Sequence, residues 1–433
     1  MLRLVDLRGA TGPVVERLPR PAALEDPPME RVREIVEQVK RGGDRALLEL
    51  TRRFDGVDLE HVMVEPEIVE RAPSQVGGGL REALEAAASR VEAYQRHRAE
   101  AIGLGCDDVY EKGGVKVTTR RVPVESAGLY VPGGRARYPS TVVMTAIPAR
   151  VAGVGRVVLC VPPGPDGNPP IETLAAAAIC GVDSVYRIGG AQAVAAMAYG
   201  TESVERVDVI AGPGNLYVSL AQKEVAGSVG VPSSFAGPSE VVVVADASSD
   251  PKEVAVDLAV QAEHGPDGLA WLVTWEETLV DAVSSELAAV VDSSPRRDEL
   301  AATLSKGGFA ALVEGQDRAV EVVDAIAPEH LEVMTDDPWG FAEKVGNAGC
   351  VFLGGISPAS VGDYVAGPSH VLPTNGTARF SGALSVVDFT RERSVVEVAS
   401  SFYPAGAGLV AELAGWEGLP AHALSVRSRT GGK

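Results

Sequence analysis

From about residue 140 onward the chain alternates short apolar runs with Ala-rich stretches of helical length, and this rhythm restricts the fold more than any other feature. Strand candidates are residues 157–161, 184–188 and 207–210, each followed by Gly/Pro punctuation and then a helix. The rhythm resumes at residues 241–245, 271–274, 309–313 and 351–353. Strands spaced by helices imply parallel sheets with right-handed crossovers. Two such blocks meeting near residue 238 imply two α/β domains with a cleft between them. No residue-level repeat relates the blocks.

The first hundred residues read as helical. Val32, Ile35, Val36 and Val39 recur at helical spacing until Gly42-Gly43 breaks the pattern. A second helix is expected over about residues 44–54 and a long charged one over about 80–101. Residues 116–121 alternate as a strand does and lead to the loop signal Tyr130-Val131-Pro132-Gly133-Gly134. The last fifty or so residues, with a short strand near Val395 and two helices, form a tail.

A chain of 433 residues buries ample core without disulfide or metal staples. Lys plus Arg number 39 against 59 Asp plus Glu, a net charge of −20 that repels nucleic-acid backbones and anionic lipid. No nucleic-acid or membrane partner is therefore expected. Cys106, Cys160, Cys180 and Cys350 form no close pair, which argues for buried free thiols in a reducing compartment. Met1-Leu2-Arg3-Leu4-Val5-Asp6 carries charges where an export signal needs an apolar core, and no stretch is apolar enough to span a bilayer. A cytoplasmic protein is expected.

With only six histidines, their placement is informative. His61 and His97 lie in charged surroundings and read as surface residues. His264, His330, His370 and His422 all fall in Gly/Pro-punctuated segments beside Glu, Asp or Gln. Asp250-Pro251 starts a helix expected to run to His264, with Gly265 ending it. Gln261 and His264, three apart, share one edge of that helix and read either as two ligands for one metal or as its polar end. Glu329-His330 follows Pro328 and reads either as a pair of bases or as a surface dipeptide. Asp363 and His370 share a Gly/Pro-rich loop, and Glu417 and His422 recur near the end. Gly212-Pro213-Gly214-Asn215 opens a helix and is a turn able to offer N–H groups to an anion. The dinucleotide fingerprint G-x-G-x-x-G is absent. A metal or acid–base site assembled from the second block and the tail is expected, with zinc favoured by nitrogen and oxygen ligands.

Taken in order, nine segments resemble the L-histidinol dehydrogenase family from end to end. They are Leu129-Tyr130-Val131-Pro132-Gly133-Gly134, Gly189-Gly190-Ala191-Gln192-Ala193, Gly212-Pro213-Gly214-Asn215 and Ala236-Gly237-Pro238-Ser239-Glu240. Then follow Gln261-Ala262-Glu263-His264, Pro328-Glu329-His330-Leu331-Glu332, Gly362-Asp363-Tyr364, His370-Val371-Leu372-Pro373-Thr374 and Glu417-Gly418-Leu419-Pro420-Ala421-His422. There are two departures: Gln222 displaces a lysine by one position to Lys223, and Pro232 stands in a segment one residue longer than the family's.

The resemblance implies oxidation of L-histidinol through L-histidinal to L-histidine, the last steps of histidine biosynthesis, with NAD and one zinc ion per subunit. By resemblance Gln261, His264, Asp363 and His422 ligate zinc and Glu329 and His330 are the catalytic bases. Tyr130, Gln192 and Asn215 contact NAD, and Ser239, Gln261, His264, His330, Asp363, Glu417 and His422 contact substrate. It further implies a homodimer whose tails cross, so that Glu417 and His422 serve the partner's site. The implied fold is two incomplete Rossmann-like parallel-sheet domains with a helical N-terminal segment and a small tail domain. The expected boundaries are an N-terminal segment at 1–28, a first domain of 29–129 plus 239–385 holding metal and bases, an NAD-side domain at 130–238 and a tail at 386–433. The alternatives are a paralogous zinc- and NAD-dependent dehydrogenase of another small amino or sulfonated polyol, and a non-catalytic metal-binding protein. Glu417, suited to a substrate amine, favours the first reading over the paralogue, and the presence of both bases disfavours the last.

Overall fold

The apolar runs of the sequence become strands whose residues alternate between two faces, and the helices between them cover those faces. The computed structural model describes residues 1–19, 27–133, 137–232, 237, 239–263, 265 and 267–430. In chain order its strands are β1 (Arg3–Asp6), β2 (Asp107–Lys112), β3 (Val115–Pro123), β4 (Ser126–Tyr130), β5 (Arg156–Cys160), β6 (Ser184–Tyr186) and β7 (Val209–Ala211). They continue with β8 (Glu240–Ala245), β9 (Leu269–Thr274), β10 (Gly308–Leu312), β11 (His330–Met334), β12 (Cys350–Leu353) and β13 (Thr390–Val398).

Residues Met1–Arg96 and Val124–Phe389 make one compact unit, which contains two parallel sheets. The larger has the order β1-β10-β9-β8-β11-β12. Counted from β8, its strands run 3-2-1-4-5, the doubly wound order, with β1 added outside β10. The smaller, β6-β5-β4-β7, counted from β4 runs 3-2-1-4. The two blocks therefore share a strand order that leaves no trace as a residue-level repeat. Both sheets are Rossmann-like and parallel, as expected.

Alternation decides the layers. Val241, Val243 and Ala245 of β8 face one core, with Val254 and Leu258 of the helix Pro251–Ala262 and Leu279, Val283 and Leu287 of the helix Glu277–Ser293. Val242 and Val244 face the other, with Trp271, Phe309, Leu331 and Val333 and with Val322 and Val323 of the helix Gln316–Ile326.

The domain boundaries differ from expectation in three places. The helix Met29–Asp55, kinked at Gly43, packs Val32, Val36, Val39, Leu47 and Leu50 against Val158, Tyr186 and Met197 of the smaller sheet's core. It thus belongs with the smaller sheet's block, residues expected at 130–238, because its apolar stripe has that sheet to cover. Residues 3–6, expected in a separate segment, pair with β10 as an edge strand of the larger sheet. Residues His97–Pro123 leave the first α/β domain altogether and form a second compact unit with Thr390–Lys433. In that unit β13 and β2 flank β3 in an antiparallel sheet, and Ala411, Ala414 and Ala423 join the helices Tyr403–Trp416 and Pro420–Arg427.

Smaller corrections concern ends and burial. The helix begun by Asp250, whose side chain accepts from Lys252 N, ends at Ala262 rather than at His264. Gly265, at φ 143°, is more extended than the left-handed residue expected there. Cys160 and Cys180 are buried free thiols, but Cys106 is exposed. Among the described residues no helix is long and apolar enough to cross a membrane.

Candidate active site

The smaller sheet presents its residues of interest at the carboxyl ends of its strands. Tyr130 closes β4 and is buried, its hydroxyl accepting from Gly190 N at 3.0 Å. Gln192, buried, lies in the first turn of the helix Gly190–Tyr199 that follows β6. Asn215 follows β7, is exposed, and caps the helix Leu216–Val225 by accepting from Val218 N at 3.2 Å. Gly212 in the same turn has φ 122°, and a Cβ there would lie 2.1 Å from the Tyr130 carbonyl oxygen. Gln222 is fully buried and donates from Nε2 to the Gly212 carbonyl at 3.0 Å. This departure from the family pattern therefore braces the turn, while Lys223 lines the adjoining cleft. A helix N-terminus facing a cleft suits an anionic group such as a pyrophosphate.

The larger sheet presents its chemistry at the amino ends of β8 and β11. Glu240 opens β8 and His330 opens β11, and both are buried. The His330 Nε2 lies 3.1 Å from Asp363 Oδ1. Its Nδ1 lies 3.3 Å from the Glu240 carbonyl oxygen and 3.3 Å from Gln261 Nε2. Glu329, just before β11, accepts the Glu240 N–H through Oε2 at 2.9 Å. Gln261 stands in the last turn of the helix Pro251–Ala262, and Asp363 near the end of the helix Ala359–Tyr364. Phe352 of β12 stacks on the His330 ring at 6.1 Å, and Gly362 fits against it because a Cβ there would lie 2.5 Å from the Phe352 ring. The Phe352–Gly362 contact seats the Asp363 helix beside His330.

Burial and the close approach of acids to one imidazole set the charge states here. Burial pushes Glu240 up to about 8, and the neighbouring Glu329 adds to that rise. Burial likewise pushes Glu329 up to about 7, against the opposing pull of His330 and the Glu240 N–H. Burial alone pushes the His330 imidazole down, but Glu329 and the Asp363 hydrogen bond outweigh it and hold the ring up at about 9. A carboxyl that titrates near neutrality is suited to serve as a base.

Gln261 Oε1 is buried and has no hydrogen-bond partner among the described residues. Such an oxygen beside a carboxylate and an imidazole suits a cation with nitrogen and oxygen ligands. His264, the second expected ligand, lies outside the described residues, as do Ala236 and Pro238. No three His, Cys, Asp or Glu side chains gather as a metal site among the described residues. His370 joins Asp363 to the smaller sheet's first helix, Pro139–Ala152, with Nδ1 2.8 Å from the Asp363 carbonyl oxygen and Nε2 3.1 Å from Thr141 Oγ1.

A continuous cleft of about 2260 Å³ joins the two edges within this unit. Pro213, Gly214 and Asn215 line it from one sheet, and Ser239, Glu329 and His330 from the other. Glu417 and His422 belong to the second unit, where both are exposed, Glu417 ending one helix and His422 in the first turn of the next.

Residues 18–430 match the sequence profile of histidinol dehydrogenase. The chain belongs to the histidinol dehydrogenase family. It is 46% identical to histidinol dehydrogenase of a Synechococcus species over 92% of this chain and 91% of that one. It is 43% identical to that of Thermosynechococcus vestitus over 99% and 98%. The crystal structure of histidinol dehydrogenase from Elizabethkingia anophelis superposes with a TM-score of 0.91 at 31% identity, covering 99% of this chain and 98% of that one. A histidinol dehydrogenase is an oxidoreductase, so the non-catalytic alternative falls, and the named relatives support histidinol over another polyol.

Three buried acids at the heart of this histidinol dehydrogenase fold escaped the sequence reading as chemical groups: Glu240, Asp257 and Glu332. A signal existed for two of them. Glu240 is an acid at the head of an otherwise apolar strand, and Glu332 sits two residues from His330 in an alternating run.

Proposed function

We propose that this chain oxidises L-histidinol to L-histidine through L-histidinal in two NAD-dependent steps. The observation that carries this reading is the convergence of His330, Glu329, Gln261 and Asp363 on one wall of a cleft whose other wall is the turn at Gly212 to Asn215. Gln261, His264, Asp363 and the partner subunit's His422 would hold one zinc ion per subunit, which when bound orients the substrate's nitrogen atoms and retains the aldehyde. Tyr130, Gln192 and Asn215 would hold NAD, which accepts a hydride in each step.

In the first step His330 takes the hydroxyl proton at Nε2, the ring nitrogen that faces Asp363. Asp363, hydrogen bonded to that nitrogen, orients the ring, and the same carboxylate would be drawn away from the imidazole if it also held the metal. Glu329 has Oε2 committed to the Glu240 N–H, so Oε1 takes a proton from the water that adds to the aldehyde carbon. As the water adds, His330 returns its proton to the former carbonyl oxygen, giving the hydrate and regenerating the free imidazole. His330 then takes a proton from one hydrate hydroxyl as the second hydride leaves, and the acid formed loses its remaining proton, with that held on Glu329, to solvent. Ser239 lines the cleft as a substrate contact, and Glu417, contributed by a crossed tail, suits the substrate amine. A tail-exchanged homodimer is supported by the apolar surface of the second unit, where Leu409, Leu413, Trp416 and Leu424 are all exposed.

Purified protein given histidinol and NAD should form two NADH per histidine. Absence of NADH from zinc-loaded protein that oxidises another alcohol would sink this reading. Mixing inactive Glu329→Gln and His422→Asn chains should restore part of the activity, because one hybrid site is intact. No recovery despite demonstrated subunit exchange would place each site within one chain.

A further inference from the structure

Beneath the cluster just described lies a second pair of acids. Glu332 follows His330 by two residues on β11, so both side chains leave the same face of the strand. Asp257 precedes Gln261 by four residues, one turn lower on the same side of its helix. Both are buried, Glu332 at 1% exposure and Asp257 at 7%. Their carboxyl groups hydrogen bond to each other. Glu332 Oε1 accepts the Ala359 N–H at 2.7 Å and so holds the start of the helix that carries Asp363. Glu332 Oε2 is buried, and apart from the Asp257 carboxyl no group among the described residues is in reach to donate to it. An ionised carboxylate only accepts, so two carboxyls bond to each other only with a proton between them.

We propose that Asp257 and Glu332 share one proton and act as a positioning pair, fixing the helix that carries Asp363 against the strand that carries His330 and the helix that carries Gln261. The inference rests on the zinc and base assignments proposed above. The charged groups around the pair agree with a retained proton. Burial raises both carboxyls, Glu332 to about 8, with Asp257 adding to the rise at Glu332 and Glu253 to that at Asp257; the Ala359 N–H bond and His330 oppose the rise at Glu332 without cancelling it. A charge-neutral pair can lie under a cation site without competing for the ion, whereas two bare carboxylates would draw it away from Gln261 and Asp363. The pair touches neither substrate nor cofactor and acts through the side chains above it.

The test uses zinc-loaded protein and three variants: E332Q, E332L and the double variant D257L/E332L. In E332Q the amide oxygen still accepts from Ala359 and its NH2 donates to Asp257, so zinc release to a chelator should stay within about threefold of the parent. In E332L and in the double variant the Ala359 N–H loses its acceptor. Zinc release should quicken by about tenfold or more and kcat should fall more than KM rises. The double variant removes both buried acids, so its metal-free melting temperature should hold even as zinc retention fails. A role confined to packing would move the two together. The proposal is overturned if E332Q is as impaired as E332L, or if the double variant keeps zinc and kcat like the parent. A parent chain that holds no zinc when saturated would overturn the metal assignment itself, and this inference with it.

Discussion

The two parallel sheets share a strand order and differ in which end they use. The smaller follows the general rule for open α/β sheets, with Tyr130, Gln192 and Asn215 at its carboxyl edge, flanking the switch between β4 and β7. The larger puts His330, Glu240 and Glu329 at its amino edge, where the C-terminal end of the helix Pro251–Ala262 delivers Gln261. One fold thus yields two kinds of surface. A carboxyl edge offers helix N-termini and backbone N–H groups, which suit an anionic cofactor. An amino edge offers helix C-termini and carbonyl oxygens, which suit cations and protonated groups. The buried polar groups agree with that division. Around the larger sheet's amino edge are four buried acids and an imidazole, whereas Gln192 and Gln222 at the smaller sheet's edge are uncharged.

If proton chemistry belongs to the amino edge alone, Glu329→Gln should have the largest effect. Conversion of aldehyde to acid should slow by about 10²–10⁴-fold, with a smaller loss in alcohol oxidation. Equal losses in both steps, read by supplying histidinol and histidinal separately, would remove the water-activating role. At the other edge Gly212→Ala places a Cβ 2.1 Å from the Tyr130 carbonyl oxygen at φ 122°. It should cost on the order of 1–3 kcal/mol of stability and raise the KM for NAD, leaving the KM for histidinol near the parent value. A change confined to histidinol would erase the contrast between the edges.

The pH dependence sharpens the same contrast. Glu240 sits at about 8 in the fold against an ordinary 4.5, so the folded state holds that proton more tightly than the unfolded chain. Its contribution is complete at acid pH and is lost as pH climbs from the ordinary value through 8. The melting temperature of metal-free protein should fall between about pH 5 and pH 9, and Glu240→Gln should lessen that fall. An unchanged slope would mean the carboxyl is not the group responsible. The smallest effect is expected from Asn215→Ala, which removes the cap on Val218 N and should cost about 1 kcal/mol of stability. Weaker NAD binding at unchanged zinc content is the expected accompaniment, measured by calorimetry on the free protein.

Period-two and period-four patterns made most strands and the longest helices legible in the sequence. The strand order was not legible, because pairing is a relation between distant segments that local periodicity does not encode. β4 was missed because Ser126 and Gly128 dilute its apolar signal; Gly128 is required by Met197, whose sulfur would lie 2.5 Å from a Cβ. β11 was missed for a different reason: His330, Glu332 and Met334 alternate with Leu331 and Val333, but the polar members are themselves buried and so mimic a surface loop. The placement of the few histidines brought Gln261, Glu329, His330 and Asp363 to attention, the family motifs supplied their expected roles, and the fold gathers these four. Glu240 escaped as an acid because its significance comes from Glu329, 89 residues away, which takes its N–H.

The antiparallel sheet of the second unit has a consequence for how the protein is made. β3 must pair along its whole length with β13, Val115 with Val398 and Pro123 with Thr390. On the ribosome the β2–β3 hairpin emerges first and then waits, on the order of tens of seconds, for its third strand. Throughout that interval one edge of β3 is open to pairing with another chain. Arg121 and Lys116 along that strand give nascent copies a like-charged edge, and in the finished sheet they meet Glu392 and Glu397 of the arriving strand, while Arg120 is already paired with Asp107 within the hairpin. The same charges thus keep the hairpin from the wrong neighbour and select the right one.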